Sequence, residues 1–288
     1  MPGSRSRTFR LGDRSELLVQ NLLTGIAYTT PVPRQEDIGI DFMCSLITGY
    51  GQGNLLKAGS VFTVQAKGNA DPVVYDKAHE VEWITHQENP LLICVADRNS
   101  GAMDVYSTWN LLCAVQNGWR GKKVPDRIRL LPGQTGATWP GVDDHDDGSQ
   151  DVYLGQPIIR IEHSQIFDET KMAASVEIIN EWVRLDRVNI VNRYAGLNWV
   201  VGPLSYETGK TPGAQVASFY WNVNNLEQCV TNLGRSATGV WRIVHDFGVL
   251  GDPTAPEELI KCIPSIGQLL STLCVLEPAL KEFLGDLK

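Results

Sequence analysis

The sequence predicts an α/β fold, with a central mixed sheet flanked by helices and a mainly helical C-terminal module after it. Three observations carry that expectation. The runs IAYTTPVP, IGIDFMCSLI and SVFTVQAKG are rich in β-formers and are separated by turn-rich stretches such as TGYGQGN, so they read as consecutive strands. PLLICVAD is almost wholly apolar and short, as a strand buried on both faces is. Apolar stripes at helical spacing stand before and after these strands.

The elements follow in order. Ser15 to Thr24 sets Leu17, Leu18, Leu22 and Leu23 at helical spacing behind Ser15 as a cap, with Gly25 as a stop. After the three strands, HEVEWITHQ is expected to be helical, MDVYST to pair with PLLICVAD, TWNLLCAVQNG to form a short helix and KVPDRIRLL a further strand. The stretch from Gly133 to Gln156 is full of Gly, Asp and Pro and is expected to be an exposed loop. Met172, Val176, Ile179 and Val183 then mark a helix that runs past Ile190, and apolar residues such as Ile266, Leu269, Leu270 and Leu273 mark another near the end. Two domains are expected, 1–160 and 165–288, the second serving oligomerisation or partner binding.

Composition narrows the function classes. With 43% hydrophobic and 20% charged residues, the chain of 288 residues has the make-up of a folded globular protein rather than a disordered one. No apolar run approaches the roughly 18 residues of a membrane span, and the start MPGSRSRTFRLGDRSE lacks a signal-peptide core, so a cytoplasmic protein without membrane contact is expected. Six cysteines without a CxxC pair read as reduced, buried thiols. A net charge of −8 excludes general attraction to nucleic acid, so any phosphate contact must be local. Arg10 and Arg14 in the N-terminal arm and Lys122 and Lys123 in RGKKVPDRIR supply such charge, and either cluster reads equally as ordinary solvated residues.

Asp41 in EDIGIDFMCSL and the QAK of FTVQAKG hold the chemistry. Alternation along a strand puts Gln65 and Lys67 on one face and Ala66 on the other, and a hairpin would bring that face beside Asp41. Hydrolysis of a phosphodiester calls for a cation that polarises the phosphoryl group and lowers the pKa of water, and hard oxygen ligands suit Mg²⁺ or Mn²⁺. The Asp41 carboxylate and the Gln65 carbonyl oxygen are two such ligands, and Lys67 would place positive charge beside the attacking water.

A carboxylate on one strand followed by D/E/Q-x-K on the next resembles the signature of the PD-(D/E)xK nuclease superfamily. The pattern is closer still to a prokaryotic branch with a Glu-bearing helix, a G-I-D strand, a V-Q-x-K strand and a P-hydrophobic-D strand, here Glu16, Gly39-Ile40-Asp41, Val64-Gln65-Ala66-Lys67, and Pro90 leading to Asp97. The match covers roughly residues 10–115. It implies a restriction-endonuclease-like core and a metal-dependent endonuclease acting on DNA. Asp41, Gln65 and Glu16 would hold the metal, and members of that branch often lie in anti-phage defence loci. Gln65 stands where the superfamily more commonly has Glu or Asp, although the branch itself often has Gln. The resemblance equally allows a catalytically silent module that binds DNA or assembles a defence complex. A dimer is expected, since two strands of a duplex need two sites; an RNase would differ only in substrate.

The remaining candidates read as structural. His79 and His86 flank Trp83 on a helix face, Asp37 reads as a turn residue, and DDHDDGSQD lacks the EF-hand spacing and is expected to be solvated. Trp182, Trp199, Trp221 and Trp241 make the second half aromatic, which suits packing more than base stacking. No GxSxG and no GxxxxGK[ST] occurs.

Overall fold

The computed structural model describes residues 7–33, 39–49, 56–115, 125–136, 141–194, 199–203, 206–213 and 215–219. Helix α1 (Arg7–Leu23) leads into a meander of β1 (Ala27–Pro31), β2 (Phe42–Thr48) and β3 (Lys57–Lys67). A crossover through β4 (Val73–Tyr75) and α2 (Ala78–Thr85) returns the chain to β5 (Leu91–Asp97), which pairs parallel with β3. Strand β6 (Ala102–Ser107) and later β10 (Ile159–Glu162) complete a six-stranded sheet in the order β1-β2-β3-β5-β6-β10. All its pairings except β3 with β5 are antiparallel, so the sheet is mixed and the chain α/β. Between β6 and β10 lie α3 (Trp109–Cys113), β7 (Arg127–Pro132), β8 (Val142–Asp144) and β9 (Ser149–Gly155). Helix α4 (Glu169–Tyr194) and the pair β11 (Trp199–Gly202) and β12 (Gln215–Phe219) follow.

The large sheet is a middle layer because β5 is apolar on both faces. Leu92, Cys94 and Ala96 join Phe42, Phe62 and Val64 under α1 and α4, where Leu22, Leu23, Ile179 and Trp182 close the core. Leu91, Ile93 and Val95 face the other way, against Val81 and Ile84 of α2 and against Ile128, Leu130 and Val152 of a second sheet. That second sheet runs β4-β7-β9-β8. Six of the seven residues of β5 are buried, as the unbroken apolar run implies.

Four expectations change. The first helix begins at Arg7, not Ser15, and Ser15 is a buried residue within it rather than its cap. The stretch 133–156 is not a plain loop: it contains β8 and β9, joined by a turn at 145–148. Its polar composition misled because β9 alternates, burying Val152 and Leu154 while Asp151, also buried, receives two hydrogen bonds from Arg129 at 2.5 and 2.8 Å. The four residues of the Met172 stripe pack in the same core as α1, so the compact unit is Met1–Ile190 with Trp199–Ser218 and the division expected near residue 165 falls later. A second unit comprises Val191–Asn198 and Phe219–Lys288. The expected terminal helix, Trp221, Trp241, Lys122, Lys123 and Asp37 lie outside the described residues. Cys44, Cys94 and Cys113 are free and buried, as expected of reduced thiols. Among the described residues no helix is long and apolar enough to cross a membrane.

Asp186 of α4 is fully buried; Ser107 donates to its Oδ2 at 3.2 Å, and Oδ1 has no partner. Burial pushes its carboxyl up from 3.8 to about 8, opposed only by the Ser107 bond. The folded chain therefore keeps a proton that the unfolded chain releases above the ordinary carboxylate range. Stability should fall as pH rises from about 4 to about 8, by up to roughly 1.4 kcal/mol per pH unit from this group. Asp186→Asn keeps an acceptor for Ser107 and removes the titration. Urea unfolding at pH 5 and pH 8 should show the variant gaining on the parent at the higher pH; parallel pH profiles would contradict the assignment.

Candidate active site at the strand ends

The site is built where β2 begins and β3 ends. The pairing Phe42↔Val64, continued backwards, would set Ile40 opposite Ala66. The chain turns instead at Gly39, whose φ of 78° lies in the left-handed region. Asp41 stays tied to both neighbours, its N–H donating to Val64 O and its carbonyl accepting from Val32 N, each at 2.9 Å. Its carboxylate then takes the strand-end donor that the missing pairing leaves: Ala66 N–H donates to Asp41 Oδ2 at 2.7 Å. A charge-assisted bond of this kind holds a carboxylate in one orientation.

Helix α1 reaches the same place because nothing bulky stands between it and the end of β3. A Cβ at Gly68 would lie 3.0 Å from Ser15 Oγ, so the helix sits close over the turn that follows the strand. Glu16, Asp41 and Lys67 consequently line one cleft of about 580 Å³. Asp13 lines it as well. Three of the four residues expected to form the catalytic set are thus brought together.

Gln65 is placed elsewhere. It is 8% exposed and lines an adjoining hollow of about 400 Å³ with Gly39, Tyr75, His79, Glu80 and Trp83. Tyr75 Oη donates to its Oε1 at 2.9 Å. Burial, then the charges of Asp41 and Glu80, raise the Tyr75 phenol against the lowering effect of the Gln65 bond, so the phenol stays protonated and remains the donor. The carbonyl oxygen expected to hold a metal is already an acceptor for this hydroxyl.

Of the other named residues, Arg14 is exposed on α1 and Arg10 lies in the same helix. His79 is exposed at the rim of the hollow, while His86 caps the C-terminus of α2 with Nδ1 2.8 Å from Glu82 O. Asp97 is not at the cleft: Arg160 Nη2 donates to it at 2.7 Å and Ser100 Oγ at 2.6 Å, and these bonds hold its carboxyl far below the ordinary range. Tyr75 gave no signal in the sequence, because β4 is three residues long and carries no periodicity, and Trp83 stood out only as the residue between His79 and His86 on a helix face.

The donor set is hard: carboxylates of Glu16, Asp41 and Asp13 line the same cleft as Lys67. Among the described residues no group of three or more His, Cys, Asp or Glu side chains is gathered closely enough to hold a metal. Mg²⁺ fits such a site, because it keeps several waters and is commonly bound through one or two carboxylates plus substrate phosphate. A scan against family models found no match, and searches of curated proteins and of solved structures found none either.

Gly39 makes the turn testable. A Cβ there would lie 3.0 and 3.1 Å from Cη2 and Cζ3 of Trp83, on a backbone that already disfavours any side chain. Gly39→Ala should cost about 1–3 kcal/mol in urea unfolding. A variant as stable as the parent would show that the turn relaxes freely.

Proposed function

We propose that the chain is a metal-dependent endonuclease of the PD-(D/E)xK type with a restriction-endonuclease-like core, hydrolysing DNA phosphodiester bonds as part of an anti-phage defence system. The observation that carries this reading is the convergence of Glu16, Asp41 and Lys67 on one cleft from a helix and two adjacent strands. The order of elements supports it too: a Glu-bearing helix, a G-I-D strand start, a V-Q-x-K strand and the Pro90-to-Asp97 strand occur in sequence, with the last paired parallel to the third.

Each residue has a part. Asp41, oriented by Ala66 N–H, presents a fixed carboxylate oxygen, and Glu16 presents another from α1. These two carboxylates would hold a divalent ion, which would supply Lewis-acid polarisation of a phosphoryl oxygen and a lowered pKa for water. Lys67, held at the last position of β3, offers its ammonium group to the charge that builds on the phosphorus oxygens as water attacks. Removal of one preorganised donor of this kind typically costs about 10²–10³ in rate. Purified protein with plasmid and Mn²⁺ should nick DNA, and Lys67→Ala and Asp41→Ala should each lower the rate by about 100-fold or more. Equal nicking by the parent and Lys67→Ala would remove the catalytic assignment.

One observation favours a second reading, a catalytically silent module of the same fold that binds DNA or assembles a complex. Gln65 spends its carbonyl on Tyr75. Calorimetric Mn²⁺ titration separates the two, since a silent module has no metal binding that Asp41→Ala abolishes. The proposal extends to a cytoplasmic dimer, because cutting both strands of a duplex requires two such clefts.

A further inference from the structure

The hollow beside the cleft has a chemistry of its own. Gln65 is more than nine-tenths buried, and Tyr75 Oη fixes its carboxamide by donating to Oε1. That bond engages Oε1 and leaves the Nε2 amide hydrogens as the donors that the carboxamide can offer a ligand in the hollow. An amide edge at the wall of a hollow is satisfied by water or by a ligand that carries a hydrogen-bond acceptor.

The rest of the lining says what kind of ligand. Trp83 is half-buried, tilted 35° to Tyr75 with ring centroids 6.1 Å apart, and the backbone at Gly39 runs so close to its six-membered ring that a Cβ there would lie 3.0 Å from Cη2. Among the described residues no Lys or Arg lines the hollow, whereas Glu80 does. The Glu80 carboxylate is engaged with Lys77 Nζ at 2.6 Å and with the backbone N–H groups of Asp76 and Lys77, so it adds negative charge rather than a vacant acceptor. An anion is disfavoured in such a place; a neutral planar heterocycle with a hydrogen-bond acceptor on its edge is favoured. The volume, about 400 Å³, is in the ~300–1,000 Å³ range of small-molecule pockets.

Position links the two cavities. Gln65 and Lys67 are two residues apart on β3, about 6.6 Å along a strand. That is the scale on which a nucleotide separates its phosphate from its base. We propose that the hollow receives a nucleobase of the bound strand, stacked on Trp83 and hydrogen-bonded at an acceptor edge by the Gln65 amide, while the adjacent phosphate lies in the Asp41–Lys67 cleft. This rests on the nuclease reading for the phosphate and gives Gln65 a different task, reading a base instead of holding a metal. It implies a substrate whose base is unpaired or drawn out of the stack at the cut.

The test separates this inference from the activity. A short single-stranded DNA carrying one 2-aminopurine is titrated with the full chain in EDTA, where cleavage cannot occur, and its fluorescence is followed. Stacking should change the emission, and affinity should fall about tenfold when an abasic residue replaces the 2-aminopurine, since base stacking on an aromatic side chain is worth about 1–3 kcal/mol. Gln65→Leu, close in shape, and Trp83→Phe, which keeps a ring, should each weaken binding of the base-bearing DNA and leave the abasic DNA unaffected. In Mn²⁺, Gln65→Glu should bind the base more weakly and cut no faster than the parent; faster cutting would make residue 65 a metal ligand and overturn the proposal. Equal affinity for base-bearing and abasic DNA also overturns it, even if the protein cuts plasmid. Base-dependent binding without any cutting leaves the hollow's role standing and removes the nuclease reading instead. Mononucleotide binding as tight as that of the oligonucleotide would assign the hollow to a free nucleotide and overturn the strand-bound form.

Discussion

The hydrogen bond from Ala66 N–H to the Asp41 carboxylate is the joint on which the functional end of this molecule turns. It substitutes a side chain for the main-chain acceptor that regular pairing between β2 and β3 would have supplied, and so ends the ladder without leaving a donor unsatisfied. The chain at 39–40 turns away there, with Ile40 lining the cleft and Gly39 the hollow. A carboxylate spent in this way is ordered before any ligand arrives. The cost of ordering it is then borne by folding and not by binding.

Around that joint the fold provides rigid walls. Strand β3 is held on both edges, antiparallel to β2 and parallel to β5, and its inward residues Phe62 and Val64 are fully buried beneath α1 and α4. Even the part of β3 upstream of its pairing with β5 is tethered, by Ser60 Oγ to Asn180 and by Arg187 to Val61 O. Residues 65 and 67 therefore project from a strand with little freedom to shift. Sites carried on strands are more exact than sites on loops for this reason.

Much of this was legible in the sequence because period and burial go together. The apolar run of β5, the alternation of β3 and the stripe at Met172, Val176, Ile179 and Val183 each have one physical solution in a layered protein, and the structure adopts it. Asp41 and Lys67 could be paired in advance for the same reason: a hairpin places the start of one strand beside the end of the next. What failed was local chemistry that depends on partners far along the chain. The stretch after Gly133 read as a loop throughout because Asp151 gives no sign in the sequence that Arg129 awaits it, while Asp144 to Gly148 are exposed as expected. Ser15 resembled a cap because a buried serine and a capping serine are the same letter. Alternation, a hairpin and the Q-x-K resemblance pair Gln65 with Asp41, and only β4, three residues long, reveals that Tyr75 claims its oxygen.

That last difference changes the meaning of the glutamine. In a site that needs a third anionic ligand, an amide in place of a carboxylate is a weakness, since a neutral oxygen holds a divalent ion less tightly. In a hollow whose described lining holds no Lys or Arg, the amide is the stronger choice: a carboxylate there would face both the desolvation cost of burial and the charge of Glu80, with the Asp41 charge also close enough to act on Tyr75. Neutrality at position 65 is thus what the surroundings demand. The two cavities then differ in chemistry: Lys67 lines the cleft with the carboxylates of Asp41 and Glu16, and the neutral amide of Gln65 lines the hollow.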